Sequence, residues 1–506
     1  KFAPHLLPLP IPFLLSARHP DVIGVFATFR LRYRSCAMLT FTVRKGNKMP
    51  PRCAHLLSAN KRGERLDNIV TFIKGASHQQ LASKLLDVWE SPSSHISELR
   101  MLLTLGANPA GLYEGESGRK TIEERKKTGS LCEACATQFE DFLDKAGVIY
   151  EEQFEQTPIN IVRGRKLTEG LLPMCCDGGG MRGLVSVVCL MFASRRLLGD
   201  ESLTNYFDWL VGTSTGSMLS LALARGANLK DAFFLYWDMK KMIFLEGSTM
   251  GRLFGDQVQL QTKGINECLE RTFPTEMMHA CPRRLTVPAL DISCQPARLH
   301  IFRNYSLTCP FGVKLDPDVD KDYSFRDVTR SSSAAPTYFE PHNVGTMKLV
   351  DGSFVANCPL NVLFKEVDTL RRHQNPVKLK GVFSIGTGEP ERVERKYKQG
   401  TSMKKKALNI ANLSTLILEQ VCGHDQSVVE MARDRCHAQN IPFFRLSPSG
   451  INVRIDQVNE DKLLQMIWNS QVWLVNNFGE IDRLGELLHK LFGDPDDRKR
   501  RSNTIL

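Results

Sequence analysis

The sequence predicts an α/β fold, in which buried strands alternate with helices. Two glycine-rich turns, residues 177–183 and 212–216, each follow an apolar run and precede a helical pattern. A third apolar run, residues 349–353, contains Asp351 followed by a glycine, which is typical of a strand end that presents a carboxylate to a cleft. The 506 residues, 42% of them hydrophobic, are enough for one large core with flanking regions.

The second turn, Gly-Thr-Ser-Thr-Gly, matches the pattern G-x-S-x-G. Small residues on both sides of the serine allow a sharp bend from strand to helix, and this bend exposes the serine hydroxyl. Residues 207–211 predict the strand and residues 218–224 predict the helix, which is the context that the motif requires. Ser214 is therefore the candidate nucleophile, with Gly212 and Gly216 as the glycines of the elbow. An ordinary loop of serine and glycine is the alternative.

The first turn fits two kinds of anion site. Residues 178–183 satisfy G-x-G-x-x-G, the dinucleotide fingerprint, and Asp200 or Glu201 lies near the position expected for a ribose ligand. Against nucleotide binding, Pro173 interrupts the entering strand, and no other segment predicts a second nucleotide-binding half. Successive glycine amides at a helix N-terminus also suit a tetrahedral oxyanion, and Arg182 would add a positive charge nearby. We favour the oxyanion interpretation.

A serine hydroxyl is a poor nucleophile until a base takes its proton. Asp351 is the better candidate, because no histidine of the chain has a distinctive local pattern. A carboxylate with an ordinary pKa is a weak base toward an alcohol, so this role requires a dry, close approach to Ser214. A plain turn acid is the alternative for Asp351. The histidines considered are His300 and His342, near motif-like segments, and His424, His437 and His489, in charge-flanked helical sequence.

The three motifs have the order and approximate spacing found in the patatin-like phospholipases, and the chain resembles that family over about residues 171–490. Within the family it is similar to the calcium-independent group VI phospholipases A2, and most of all to the member with N-terminal ankyrin repeats. The further segments that carry the resemblance are residues 300–305, 330–339, 356–359, 384–388 and 443–448.

The resemblance implies a three-layer α/β/α patatin-like domain with a mostly helical C-terminal extension. It also implies that a Ser-Asp dyad hydrolyses glycerophospholipid acyl esters, with sn-2 preference, to a free fatty acid and a lysophospholipid through an acyl-enzyme. Carried over to this chain, Ser214 is the nucleophile and Asp351 is its base. The implied oxyanion hole consists of Gly178, Gly179, Gly180 and Arg182.

Three positions depart from the family pattern or from the expected strand. Ser353 stands where Gly or Ala is commoner, Cys358 stands where Asn is usual, and Pro173 lies in the strand that enters the first turn. None of them is a member of the dyad. The resemblance implies no metal and no cofactor.

The predicted organisation has four parts. Residues 1–95 form a poorly defined N-terminal segment, and residues 96–168 form an ankyrin remnant and a linker, the linker over residues 114–128. Residues 169–392 form the catalytic domain, and residues 393–506 form a helical region packed on it, with helical periodicity over residues 408–421 and 463–478. Residues 97–109 resemble the second helix and exit turn of an ankyrin repeat. One repeat cannot bury its own faces, and the chain begins with lysine, so we expect the end of a longer array.

Composition and charge indicate where the protein acts. No run approaches about 18 apolar residues, so we expect no membrane span. The net charge of +11 and the basic runs 395–406 and 498–501 favour an anionic bilayer surface, with solvated faces as the alternative. Fourteen cysteines without a secreted disulfide pattern indicate a reducing compartment. We therefore expect a cytoplasmic protein that associates peripherally with membranes.

Two segments mimic metal sites without completing them. The acids at 316, 318, 320 and 322 resemble half of an EF-hand loop, but Lys321 occupies the position of the required glycine. The pair Cys132 and Cys135 forms a lone C-x-x-C. Candidate partners are a second copy of the chain and calmodulin, which would bind C-terminal basic helices, although those helices fit a packed core better. No nucleic acid is expected.

Three other functions stay open at this point. A broader lipid acyl hydrolase or thioesterase would share the dyad and differ in acyl and headgroup preference. A Ser-His-Asp hydrolase would need one of the histidines named above. A catalytically inactive protein that binds lipid would retain the fold without turnover.

Overall fold

The computed structural model confirms the α/β fold. The chain divides into two units, Lys1–Pro50 and Pro51–Leu506, and every described residue lies in the second unit. The structure describes residues 59–91, 96–109, 112, 116–127, 133–155, 170–199, 202–243, 256–307, 322–372, 377–391 and 426–492.

One mixed sheet contains all eight strands of the described residues, in the order β5-β6-β3-β2-β1-β7-β8, with β4 paired to β3 outside this path. Strands β3, β2, β1, β7 and β8 are mutually parallel; β4 and β6 pair antiparallel with β3, and β5 pairs antiparallel with β6. The strands are β1 (Pro173–Cys176), β2 (Trp209–Gly212), β3 (Arg284–Asp291), β4 (Arg298–Arg303), β5 (His342–Val344), β6 (Met347–Val350), β7 (Val382–Ile385) and β8 (Phe443–Leu446).

Helices cover both faces of the sheet. Their bounds are α1 (Ala59–Gly75), α2 (His78–Glu90), α3 (Ile96–Thr104), α4 (Glu116–Lys127), α5 (Glu133–Glu155), α6 (Gly183–Leu198), α7 (Thr215–Ala224), α8 (Leu229–Met242), α9 (Asp256–Thr272), α10 (Phe325–Ser332), α11 (Ser353–Ala356), α12 (Leu360–Arg372), α13 (Gln426–Ala438), α14 (Glu460–Asn476) and α15 (Gly479–Phe492). Short 3-10 turns occur at Gly180–Arg182 and Leu203–Tyr206.

The central strands are buried on both sides, as their side chains show. In β1, Met174 and Cys176 belong to the hydrophobic core that α6, α7 and α14 share, whereas Cys175 belongs to the core that α12 and α13 share. In β2, Leu210 lies in the first core and Trp209 in the second. Because successive strand side chains point to opposite faces, the sheet is the middle of three layers.

The N-terminal helices pack against α14 of the C-terminal region. The rings of Trp89 and Phe139 stack with centroids 5.6 Å apart, and Phe139 stacks at the same distance on Trp468 of α14. Trp468 Nε1 donates a hydrogen bond of 3.1 Å to Gln138 Oε1, so its polar atom is satisfied although the side chain is buried. The segment that the sequence left poorly defined therefore contains two helices that belong to the same compact unit as the sheet.

Helix α4 occupies residues that the sequence predicted as a linker. The Arg125 side chain is buried and donates hydrogen bonds to the carbonyl oxygens of Val88, Trp89 and Ser91. These carbonyls lie at the end of α2, where a helix leaves its last carbonyl groups without intrahelical partners. The sequence predicted a linker because the segment is highly charged. Nothing in the segment itself shows that Arg125 would bind the end of α2. The ankyrin interpretation of residues 97–109 stays a prediction.

The C-terminal region differs from its prediction in one respect. Helix α14 agrees with the periodicity of residues 463–478, but β8 pairs in parallel with β7, so the sheet continues beyond residue 392. A short apolar run cannot be assigned to a strand or a helix from periodicity alone. The predicted helix 408–421, the basic runs 395–406 and 498–501, and the acids 316–320 lie outside the described residues.

Two further properties concern only the part of the chain that the structure describes. None of its helices is both long and apolar enough to cross a bilayer. It contains no group of three or more His, Cys, Asp or Glu side chains arranged to hold a metal ion.

Replacing Trp468 should loosen the N-terminal helices. We expect W468A to lower the free energy of unfolding by about 3–5 kcal/mol, because the substitution removes a fully buried ring and its stacking on Phe139. Urea unfolding followed by far-UV circular dichroism measures the change. The matched control is W473A on the same helix, where the ring is only partly buried and the loss should be less than half as large. Equal losses in the two variants would contradict this role of Trp468.

Candidate active site

The turn between β2 and α7 is a sharp elbow that holds Ser214. Ser214 has φ of 53° and ψ of −123°, a backbone conformation that residues other than glycine rarely adopt. A Cβ on Gly216 would lie 2.2 Å from the carbonyl oxygen of Cys176, and a Cβ on Gly212 would lie 2.3 Å from the carbonyl oxygen of Gly216. Only glycine fits at both positions, so the G-x-S-x-G pattern has the structural cause that the sequence predicted.

Ser214 and Asp351 are in direct contact. Ser214 Oγ donates a hydrogen bond of 2.8 Å to Asp351 Oδ2, and the backbone amide of Ser353 donates one of 2.8 Å to Asp351 Oδ1. Both side chains are buried, with 8% of Ser214 and 3% of Asp351 exposed. The dry, close approach that a carboxylate base needs is therefore present.

Burial sets the basicity of Asp351. It raises the pKa of this carboxyl from 3.8 to about 6, and the hydrogen bonds from Ser353 and Ser214 act in the opposite direction. The contacts that the described residues make with the Asp351 carboxylate come from hydroxyl and amide donors, and no cation is among them. Asp351 is thus a stronger base than a solvated aspartate, while it is still mostly ionised at neutral pH.

Asp351 reaches Ser214 through the antiparallel part of the sheet. Strand β3 is longer than β2, and its end pairs with β6, with Leu290 opposite Val350. The turn after β6 is held by α10 and the residues that follow it, because the amide of Gly352 donates to the carbonyl oxygen of Ser332 and the amide of Asp351 donates to that of Ala334. Ser332 Oγ accepts a hydrogen bond from the amide of Ser214 and donates one to the carbonyl oxygen of Pro288 in β3. In the sequence, Ser332 was singled out only as part of the family segment 330–339.

The glycine-rich loop lies beside the serine. A Cβ on Gly178 would lie 3.3 Å from the Cβ of Ser214. The amide of Gly178 donates to the carbonyl oxygen of Asn357, whereas within the described residues the amides of Gly179 and Gly180 have no acceptor. Gly178 thus differs from its predicted role in the oxyanion hole, since its amide already donates to Asn357. Gly178 instead allows the loop to approach Ser214 closely. Gly179 and Gly180 offer the two amides that an oxyanion requires.

Two arginines accompany this loop, and the sequence indicated one of them. Arg182 is buried in the 3-10 turn, and its role in an oxyanion hole stays a prediction. Arg445 of β8 forms an ion pair of 2.6 Å with Asp177 Oδ2, and both side chains are buried. Asp177 and Arg445 are 268 residues apart, so no local pattern could link them.

The histidines have other surroundings. His342 Nε2 lies 3.1 Å from Asp327 Oδ1, and the ring of His300 packs edge-on against Phe302. His437 lies in α13 and His489 in α15, and His424 lies outside the described residues. No histidine lines the described cleft at Ser214.

The cleft around Ser214 and Asp351 is mainly apolar, which suits an acyl chain better than a charged group. A larger cavity of about 790 Å³ lies between α12 and α13, but it contains neither Ser214 nor Asp351. We assign the candidate active site to the smaller cleft, because it contains the paired serine and carboxylate. Its other lining residues are Gly180, Thr215, Met218, Met239, Ile243, Ile265, Ser333, Ala335, Tyr338, Phe339 and Ile455.

Comparison with known proteins agrees with the class that this fold and site define. Residues 174–364 match the family described as patatin-like phospholipase. The chain therefore contains a patatin-like phospholipase domain, and the resemblance seen in the sequence motifs is confirmed.

The relatives extend this similarity along the chain. An intracellular phospholipase A2 of Caenorhabditis elegans is 27% identical over 501 residues, which cover 94% of this chain and 44% of that protein. The 85/88 kDa calcium-independent phospholipase A2 of Rattus norvegicus is 29% identical over 62% of this chain and 40% of that protein. Patatin-like protein 1 of Arabidopsis thaliana is 28% identical over 61% of this chain and 79% of that protein. The chain thus spans less than half the length of the two animal relatives.

The backbone strain at Ser214 predicts an unusual order of stability among its variants. We expect S214G to be more stable than S214A by about 1 kcal/mol, because glycine adopts a positive φ without steric cost. Chemical unfolding measures the difference. At Ser83, an exposed position within α2, the order should be reversed by a similar amount, since glycine is a poor helix former. The same order at both positions would show that the elbow is not strained.

Proposed function

We propose that this protein is a calcium-independent phospholipase that hydrolyses glycerophospholipid acyl esters, with sn-2 preference, to a fatty acid and a lysophospholipid. The observation that carries the proposal is the 2.8 Å hydrogen bond between Ser214 Oγ and a buried Asp351 carboxylate at an apolar cleft. The relatives named as phospholipases A2 support the substrate class. In the proposed reaction, the nucleophile and the base are two side chains of this chain, those of Ser214 and Asp351.

In the first step, Ser214 Oγ attacks the ester carbonyl carbon and its proton passes to Asp351 Oδ2, which already accepts the hydrogen bond. The carbonyl oxygen becomes an oxyanion that accepts hydrogen bonds from the amides of Gly179 and Gly180. The tetrahedral intermediate then collapses, the bond to the glycerol oxygen breaks, and the leaving lysophospholipid takes the proton from Asp351. The acyl group stays on Ser214 as an ester.

In the second step, water attacks the acyl-enzyme. Asp351 accepts a proton from the water, and the same two amides stabilise the second oxyanion. Collapse releases the fatty acid, and Ser214 Oγ regains its proton from Asp351. One carboxyl group thus serves as base and then as acid in each half of the reaction, which requires a pKa near the working pH; a pKa of about 6 meets this requirement.

A broader lipid acyl hydrolase or thioesterase is the second candidate. The cleft offers mostly apolar side chains, such as Met218, Ile265 and Phe339, which can recognise an acyl chain but not a headgroup. Turnover of acyl esters without a phosphate, at rates equal to those for phospholipids, would favour this candidate. We further propose peripheral action at a bilayer surface in the cytoplasm; binding of calmodulin, self-association and the ankyrin array stay predictions.

Metal-free hydrolysis tests the proposal directly. We expect the protein to release fatty acid from mixed phospholipid vesicles in excess EDTA, and S214A and D351N each to lower kcat by about 1,000-fold or more. The matched controls are S83A on α2 and D231N on α8, which should leave the rate unchanged. Release that survives D351N would require a different base, and a folded wild-type protein without any release would favour a lipid-binding function.

The pH dependence of the rate should report on Asp351. Because the ionised carboxylate is the base, kcat/KM should increase about tenfold per pH unit at low pH and level off above about 6, the pKa to which burial raises this carboxyl. Initial rates with a soluble short-chain ester between pH 4 and 8 measure the profile without vesicle effects. The fall of the rate at low pH is the acid limb of this profile. An acid limb near the ordinary pKa of aspartate would contradict the burial of Asp351. A profile without an acid limb would exclude Asp351 as the base.

A further inference from the structure

A buried ion pair lies at the first residue of the glycine-rich loop. Arg445 Nη2 lies 2.6 Å from Asp177 Oδ2, and Arg445 Nη1 donates a hydrogen bond of 2.7 Å to Ser384 Oγ of β7. Burial alone would lower the pKa of Arg445, but Asp177 raises it above its ordinary value, so the guanidinium is permanently charged. Arg445 lies on β8, beyond the residues that match the family.

Asp177, one member of the pair, lies close to Ser214 on two sides. Asp177 directly precedes Gly178, which approaches the Cβ of Ser214. On the other side, a Cβ on Gly216 would lie 2.7 Å from the carbonyl oxygen of Asp177. A displacement of Asp177 would therefore move the loop that carries the oxyanion amides. It would also move the backbone against which Gly216 of the elbow packs.

The charge of Asp177 matters because few groups near it can balance that charge. Within the described residues, the ionisable groups that act on the pair are thiols and one further carboxylate, and burial raises the pKa of each thiol, which keeps the thiols neutral. Glu389 is an acid and cannot neutralise Asp177. The thiols are those of Cys175 and Cys176 on β1, Cys189 on α6 and Cys358 before α12.

We propose that Arg445 is a positioning residue of this active site, which fixes the glycine-rich loop through Asp177 and cancels the negative charge that Asp177 would otherwise present to Ser214, Asp351 and the oxyanion. The inference rests on the proposed acyl-transfer role of Ser214. A buried negative charge at this place would oppose both the ionisation of Asp351 and the formation of the oxyanion.

The test compares R445M, D177N, D177N/R445M and R445K by two measurements. The first is fatty-acid release from vesicles. The second is the rate at which a fluorophosphonate labels Ser214, a reaction in which Ser214 Oγ forms a bond to phosphorus and fluoride leaves. The labelling rate depends on the serine, its base and the oxyanion amides, and it needs no lipid. Both rates are measured from pH 4 to 8.

The proposal gives each variant a distinct result. R445M should label about tenfold more slowly, because the glycine-rich loop loses its anchor. Its acid limb should move up by about half a pH unit where Asp177 is ionised, since no cation then lies beside that carboxylate. D177N/R445M carries neither charge, so its acid limb should return to the wild-type pH while its rate stays about threefold low, because the loop is no longer held. D177N should move the acid limb down. R445K should have its acid limb at the wild-type pH and part of the wild-type rate, because lysine retains the charge but cannot contact both Asp177 and Ser384 as arginine does.

Two results would overturn the proposal. One is a wild-type labelling rate in R445M, and the other is the same acid limb in R445M and D177N/R445M, which a purely structural pair would give. If R445M does not fold, the double variant decides, because buried ion pairs can be replaced by neutral residues with little loss of stability; a wild-type rate in it would overturn the role of Arg445. If the wild-type protein labels as described but releases no fatty acid, the proposed function fails and the positioning role stands.

Discussion

The hydrogen bond between Ser214 and Asp351 is the contact on which the rest of the site depends. It joins residues 137 positions apart, and each partner reaches it through a different constraint. Ser214 is held in a strained conformation because Gly216 packs against the end of β1, with no room for a side chain. Asp351 directly follows β6, which pairs antiparallel with the part of β3 that extends beyond β2. The mixed sheet is therefore part of the proposed mechanism, since a wholly parallel sheet would not return a strand to this edge.

The sequence predicted those parts of the site whose causes are local. The elbow followed from glycines two positions from Ser214, and the loop amides followed from consecutive glycines before a helix. The partner of Ser214 could be argued only as a strand-end acid, and the family resemblance decided it. The structure explains why: the register of β6 on β3 places Asp351, and register is set by packing over the whole sheet. For the same reason β8 and its Arg445 could not be assigned from four apolar or charged residues.

The burial of Asp351 couples catalysis to stability with opposite signs. A carboxyl whose folded pKa is raised to about 6 stabilises the fold only while it is protonated, so its contribution is complete below the unfolded pKa of 3.8 and is lost as the pH rises through about 6. A shift of this size corresponds to about 3 kcal/mol above that pH. The ionised carboxylate that the proposed reaction requires is therefore the form that the fold disfavours. The burial of apolar side chains in two extensive cores offsets this cost.

The two aspartates at this edge of the sheet illustrate how one fold separates a base from a structural charge. Asp177 and Asp351 are both buried, yet Asp177 has a guanidinium at 2.6 Å and Asp351 has only hydroxyl and amide donors within the described residues. The guanidinium of Arg445 balances the charge of Asp177, whereas Asp351 can exchange a proton near neutral pH. Arg445 and Ile455, which line or support the site, both lie after residue 364. The functional unit thus includes the strand and loop that follow the family match, because the charge balance and one wall of the cleft come from there.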